Sequence, residues 1–212
     1  LSGLENLISI NGNLIIGRVY FWHCTSHFGG NISLNSLTGL NNLTSIKGNL
    51  EIFCNDSLTC LTGLENLTSI RGSLVIGGNE FLTNLTGLNN LTSIQGDISI
   101  GTDIIMSGVF GNPSLTTLTG LDNIEAGSIN NLNIRHNISL STCEVKSVCD
   151  YLLSPTGTIE IHDNATGCNT QQEVEDACDA IGLPDINAES EVLIYPNPTD
   201  RELFIPSTTG II

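Results

Sequence analysis

Residues 37–46 read Leu37-Thr-Gly-Leu-Asn-Asn-Leu-Thr-Ser-Ile46, and the chain repeats this stretch as Leu61-Thr-Gly-Leu-Glu-Asn-Leu-Thr-Ser-Ile70 and Leu85-Thr-Gly-Leu-Asn-Asn-Leu-Thr-Ser-Ile94. The three copies start 24 residues apart. An earlier copy begins at Leu1, and a degenerate one, Leu118-Thr-Gly-Leu-Asp-Asn-Ile124, follows. Self-similarity at one period is the mark of a stacked repeat. Each copy runs on into Leu50-Glu-Ile52, Leu74-Val-Ile76, Ile98-Ser-Ile100 or Leu132-Asn-Ile134. That apolar–polar–apolar alternation predicts a short strand with one buried face. An Asn then recurs at one offset: Asn31, Asn55, Asn79, Asn112, Asn137 and, in a last echo after Ile159-Glu-Ile161, Asn164. Aligned over stacked coils, these amides are expected to form a ladder that satisfies the turn backbone.

Such a unit has to stack. One coil buries about six Leu or Ile side chains, at roughly 1.5–3 kcal/mol each. Ordering its two dozen residues costs roughly 1–2 kcal/mol apiece. A lone coil loses that balance, and only neighbours that share ladder hydrogen bonds and apolar edges reverse it. Leu4, Leu40, Leu64, Leu88 and Leu121 are expected to form one interior column.

Composition agrees with uniform layers. Of 212 residues, 40% are hydrophobic but only 5% aromatic and 13% charged. The net charge of −16 repels phosphate backbones and anionic lipid, so nucleic acid is excluded as a partner. No run of eighteen apolar residues exists, and no membrane insertion is expected. The chain opens inside a repeat at Leu1, which reads as a fragment of a longer precursor. Seven Cys without a CxxC pair favour structural disulfides and an oxidising compartment over zinc or dithiol chemistry.

Two spacings exceed 24 residues: 36 from the first copy to the second, and 33 from the fourth to the fifth. Both excesses fall after the Leu/Ile-x-Ile strand, so both loops should leave one edge of the stack. The first carries Tyr20, Phe21, Trp22, His23 and Phe28; the second carries Met106 and Phe110. These are the candidate ligand-binding residues, because loops on a rigid scaffold favour recognition. The alternative is that they pack on one another as a satellite core. His23 and His27 stand four apart, but no third ligand accompanies them, and neither a metal nor a cofactor is expected.

Past residue 142 the period turns helical over Cys143–Leu153 and again over Gln171–Ile181, the second after an Asn169-Thr170 N-cap. Two short helices here would seal the end of the stack. The four Cys of this region allow three pairings, of which Cys143–Cys168 and Cys149–Cys178 are favoured. Cys54 and Cys60 flank one turn and form a further candidate pair; Cys24 is then left over, or competes for Cys54. The organisation expected is repeats over 1–142, a cysteine-containing cap over 143–182, a linker over 183–191, and the start of a further small β-domain over 192–212.

The unit Leu-Thr-Gly-Leu-x-Asn-Leu-Thr-Ser-Ile-x-Gly-x-Leu-x-Ile resembles the receptor L-domain type of leucine-rich repeat. That resemblance implies a mainly β fold, a right-handed β-solenoid of about six 24-residue coils. A leucine-rich horseshoe is the alternative, although Ile46 to Leu50 is one step longer than the horseshoe spacing. The segment Ile194–Ile205, with Tyr195, Pro196, Asn197 and Pro198 at its centre, is similar to the start of the C-terminal sorting domain of type IX secretion substrates in Bacteroidota. It implies contact with a secretion machinery and a secreted or outer-surface location.

The function expected is a non-catalytic binding or adhesion module for an extracellular protein or glycan. A polysaccharide-active enzyme on a β-helix is the second reading, but it needs paired carboxylates or a basic residue with a cation. Residues 1–142 spread nine acids over many coils and hold only Arg18, Lys47, Arg71 and Arg135 as bases. Ice or crystal binding through Thr44, Thr68 and Thr92, roughly 4.8 Å apart on successive coils, is a minor third.

Overall fold

The computed structural model describes residues 1–17, 30–104 and 108–182. Each of the first four repeats supplies two short strands. In chain order these are β1 (Ser9–Ile10), β2 (Leu14–Ile16), β3 (Ser45–Ile46), β4 (Leu50–Phe53), β5 (Ser69–Ile70), β6 (Leu74–Gly77), β7 (Ser93–Ile94) and β8 (Ile98–Ile100). An antiparallel pair, β9 (Thr102–Ile104) and β10 (Gly108–Phe110), forms within the second insertion. Strands β11 (Leu132–Arg135) and β12 (Ile159–His162) follow, with helix α1 (Lys146–Leu153) between them and helix α2 (Gln171–Ala180) after them.

The chain is mainly β, with two parallel sheets. One has the order β1-β3-β5-β7; the other has the order β12-β11-β8-β6-β4-β2. Strands this short are unstable alone. Here each inner strand is held between the strands of the neighbouring repeats, and β1, β7, β2 and β12 form the edges. Register follows the sequence period: Leu14 faces Leu50, Leu50 faces Leu74, Leu74 faces Ile98, Ile98 faces Leu132, and Leu132 faces Ile159. A one-residue slip would turn every inward Leu to solvent, so burial itself fixes the alignment.

The interior is one continuous apolar cluster. Leu40, Leu64, Leu88 and Leu121 are all buried. Leu4, which precedes them on the outermost repeat, has a neighbour on one side only and is 39% exposed. The smaller sheet stops at β7, because the fifth repeat turns through a single 3₁₀ turn at Ala126–Ser128 instead of a strand. Ser128 Oγ accepts the Ile94 N–H there at 3.1 Å.

Helix α1 starts at Lys146, three residues later than the apolar period suggested, because Val145 is extended at φ −80° and ψ 149°. Its buried side is Val148, Cys149, Tyr151 and Leu152. The Tyr151 hydroxyl donates to Asn130 O at 2.6 Å and accepts the Gly157 N–H at 3.1 Å, so this buried phenol is satisfied. Helix α2 is capped by Thr170, whose side chain accepts from Glu173 N at 3.2 Å. The Glu173 carboxylate reaches back to the N–H groups of Gly167 and Asn169 at 2.7 and 2.9 Å. This is a variant of the Thr-x-x-Glu capping box in which the carboxylate serves N–H groups of the loop before the cap.

Candidate functional site

The two insertions meet the repeat framework in the same way. Gly17 and Gly101 both have φ +77°, the left-handed region that a Cβ disfavours. A Cβ on Gly17 would lie 1.8 Å from the carbonyl oxygen of Phe53, and one on Gly101 would lie 1.8 Å from that of Arg135. Where the chain returns, a Cβ on Gly30 would lie 2.3 Å from Cys54 O, and one on Gly111 would lie 1.6 Å from His136 O. Each insertion therefore departs over one carbonyl of the next repeat and re-enters over the following one. Both lie on one edge of the larger sheet.

On that edge sits a second apolar cluster, separate from the interior: Phe53, Cys54 and Phe110 are buried together, with Val75 packed against them. Phe53 ends β4 with its ring on the outer side of the sheet, since Leu50 and Ile52 take the inner positions. Phe110, at the end of the β9–β10 hairpin, covers it. Phe110 was a candidate for ligand contact, but at 5% exposure it supports the flank and is not displayed to solvent. The remaining loop candidates, Tyr20, Phe21, Trp22, His23, Phe28 and Met106, lie outside the described residues, as does the segment containing Tyr195, Pro196, Asn197 and Pro198.

Beside this edge runs a chain of asparagines. Asn31 Nδ2 donates to Asn55 Oδ1 at 3.0 Å, Asn55 Nδ2 to Asn79 Oδ1 at 3.1 Å, Asn79 Nδ2 to Asn112 Oδ1 at 3.1 Å, Asn112 Nδ2 to Asn137 Oδ1 at 3.0 Å, and Asn137 Nδ2 to Asn164 Oδ1 at 3.2 Å. From Asn55 onward, each Oδ1 that accepts an amide from Asn79 to Asn164 also receives the backbone N–H of the asparagine before it. Asn55, Asn79, Asn112 and Asn137 are wholly buried, which an amide tolerates only when its bonds are made.

A second, exposed ladder follows the first turn of each repeat. Asn42, Asn66, Asn90 and Asn123 donate their amides to the backbone oxygens of Glu5, Asn41, Glu65 and Asn89 in the preceding repeat. Sequence reading passed over these residues; the recurring Asn before each Leu-Thr or Ile was the signal for them. Thr44, Thr68 and Thr92 likewise donate to Ile8 O, Thr44 O and Thr68 O at 3.0–3.1 Å. Their hydroxyl hydrogens are engaged within the stack, which leaves little for an ordered ice surface to accept.

The cap contains two disulfides, Cys143–Cys168 and Cys149–Cys178, closing separations of 25 and 29 residues. The expected Cys54–Cys60 pair does not form. Cys54 is disulfide-bonded, but Cys60 carries a free thiol. The reason is direction. Cys54 is left-handed at φ 55° and buried in the Phe53 cluster, whereas Cys60 lies beyond the Asn55 turn, with its sulfur 3.0 Å from Thr62 Oγ1.

Charge is sparse on this scaffold. Arg135 and Glu160 pair across β11 and β12, and Lys146 pairs with Asp150 along α1. Backbone N–H groups of Glu5 itself and of Gly3 hold the Glu5 carboxyl below its ordinary value. No helix among the described residues is long and apolar enough to cross a membrane.

Comparison with known proteins finds one family: the model of the receptor L domain matches residues 42–148, half of the chain. No curated protein and no solved structure matches it significantly.

Proposed function

The chain belongs to the receptor L domain family, a family of ligand-binding domains, and on that premise we propose that it is a non-catalytic module that holds an extracellular protein or glycan on its insertion-bearing flank. The observation that supports this most is convergence on Phe53. The first insertion leaves the framework over the Phe53 carbonyl, and the second lays Phe110 on the Phe53 cluster. The departure of the first loop and the return of the second thus border one rigid patch. Tyr20, Phe21, Trp22, His23, Phe28 and Met106 are the proposed contacts, since aromatic groups on a fixed base suit sugar stacking and protein hot spots. Phe110 is their footing.

The test replaces Phe21 and Trp22 by Ala and measures melting alongside retention on arrays of glycans and extracellular proteins. Retention lost with melting unchanged supports the site. Retention intact with a large fall in melting assigns the loops to packing. Cleavage of an arrayed polysaccharide, in place of retention, would favour the enzyme reading.

The finer architecture belongs to the same proposal. We read the repeats as a right-handed β-solenoid, with 1–142 as the repeat body, 143–182 as its cap, 183–191 as a linker, and 192–212 opening a sorting domain of the type IX secretion kind found in Bacteroidota. One strand in each parallel sheet from each of the first four repeats favours coils over a horseshoe. The two disulfides and the family fit an extracellular or surface setting. Removing Tyr195–Pro198 and finding the protein held inside the cell envelope would support the sorting role; unchanged export would remove it.

A further inference from the structure

Three side chains from the last two repeats converge on one point of the surface. Asp163 Oδ2 lies 2.9 Å from His162 Nδ1 and 3.3 Å from His136 Nδ1. The three ligand atoms all lie within 4.8 Å of one another. The imidazole rings meet edge to face, with centroids 5.3 Å apart. We propose that His136, His162 and Asp163 bind a divalent transition-metal ion of the zinc class, and that this ion staples the last strand of the large sheet to its neighbour.

The spacing suits such an ion. Zinc binds imidazole nitrogen and carboxylate oxygen at roughly 2.0–2.2 Å, so tetrahedral ligand atoms stand roughly 3.3 Å apart. The His136–Asp163 separation of 3.3 Å already has that length, and the His162–Asp163 separation of 2.9 Å is a few tenths shorter. The donor set, two imidazoles and one carboxylate, is intermediate in hardness and suits zinc, nickel or copper better than calcium or magnesium. His136 is only 14% exposed, while His162 and Asp163 are 45% and 65% exposed. The site is therefore held from below and open above, which leaves a fourth position for water or a partner's group. The neighbouring Arg135 guanidinium is neutralised by Glu160.

The backbone adds a reason to regard the cluster as built. The residue before a ladder asparagine takes the left-handed conformation repeatedly, and in one repeat it is Gly78, at φ +67°. Cys54, His136 and Asp163 occupy this position without being glycine, at φ 55°, 61° and 54°. Left-handed backbone costs a non-glycine residue about 1 kcal/mol or more. Cys54 uses its place for a disulfide. His136 and Asp163, on adjacent repeats, use theirs to face each other across the β11–β12 boundary. The ladder bond from Asn137 to Asn164 locks the two turns together beside them.

The experiment titrates zinc chloride into the tag-free chain, reading stoichiometry and melting temperature. His162→Gln and Asp163→Asn are compared with wild type. Asn at 163 keeps a residue that accepts the left-handed backbone. His23→Gln/His27→Gln, which alters the only other histidines, serves as the contrast. The expected result is one ion per chain and a zinc-dependent rise in melting of about 5 °C or more at saturating ion. Both single variants should lose roughly tenfold or more in affinity while melting normally without zinc, and the double His23/His27 variant should bind as wild type does. Absence of saturable binding, unchanged affinity in the two single variants, or loss confined to the His23/His27 variant overturns the proposal. If either single variant fails to fold, His136→Asn read by the same titration decides the matter.

Discussion

Asn79 and Asn112, 33 residues apart in the chain, are joined by two hydrogen bonds: the Asn79 backbone N–H and its side-chain amide both donate to Asn112 Oδ1, at 3.2 and 3.1 Å. Asn112 in turn donates to Ile76 O and to Asn137 Oδ1. Each such residue thus satisfies its own turn and the two beside it.

Truncating Asn112 should therefore cost more than an ordinary polar deletion. Asn112→Ala leaves the buried Asn79 N–H without its acceptor, whereas the Asn79 amide keeps Ile52 O and Gly77 O and the Ile76 carbonyl keeps the Gly101 N–H. An unsatisfied buried group costs roughly 1–3 kcal/mol, so a loss of about 2 kcal/mol is expected in urea unfolding followed by circular dichroism. Asn123→Ala, on the exposed ladder, should cost less than about 1 kcal/mol. Equal effects at the two positions would contradict the burial argument.

Gly101→Ala tests the exit of the second insertion. A methyl group there meets Arg135 O at 1.8 Å on a left-handed backbone. Overpacking and left-handed strain together predict a destabilisation of about 3 kcal/mol. Gly127→Ala, with nothing within 4 Å, should leave the melting point essentially unchanged. A Gly101→Ala protein as stable as wild type would mean that the close approach relaxes freely.

Thiol chemistry separates the cysteines. Iodoacetamide under native, non-reducing conditions should label Cys60, and peptide mapping should recover Cys143 with Cys168 and Cys149 with Cys178. Cys149→Ser/Cys178→Ser should lower stability by about 2–4 kcal/mol, because the bridge closes a 29-residue separation over two short helices. A cross-linked peptide joining Cys54 to Cys60 would overturn the assignment made here.

Ser147 is buried in α1, and its hydroxyl meets no hydrogen-bond partner among the described residues. Ser147→Ala removes that desolvated group and improves helix propensity. Stability should rise by about 0.5–1 kcal/mol in the same urea assay. A fall would reveal an interaction of the hydroxyl that geometry does not.

The two parallel sheets were legible because inward Leu and Ile recur at one phase from Leu37 to Ile134, and burial leaves such a pattern one register. Which of Cys60 and Cys24 competes successfully for Cys54 was not, and Cys60 proves free. Nearness along the chain says nothing of the direction of a side chain on either side of a turn, and the left-handed backbone at Cys54 settles that direction. The hairpin at 102–110 was also hidden, since an insertion has no repeat to be compared with. The His136, His162 and Asp163 cluster escaped for a related reason. Its members are ordinary singly, and only stacking of two repeats brings positions 26 and 27 residues apart together. Whether the aromatic residues of the first insertion touch a ligand rests on the array experiment, because stacking rules constrain the framework and not its loops.

The paired glycines at each insertion have a consequence for how this surface diversifies. Gly17 and Gly30 rest on consecutive carbonyls of the next repeat, and Gly101 and Gly111 do the same three strand positions further along the larger sheet. The framework thus fixes where each loop departs and where it lands, with Phe110 seated on the Phe53 cluster beside the second landing. Lengthening a loop between such fixed points adds little closure entropy, about 0.6 kcal/mol per doubling. Evolution, or an engineer, is then able to exchange the residues between such anchors for others of different length and chemistry, as a cassette held at its two ends.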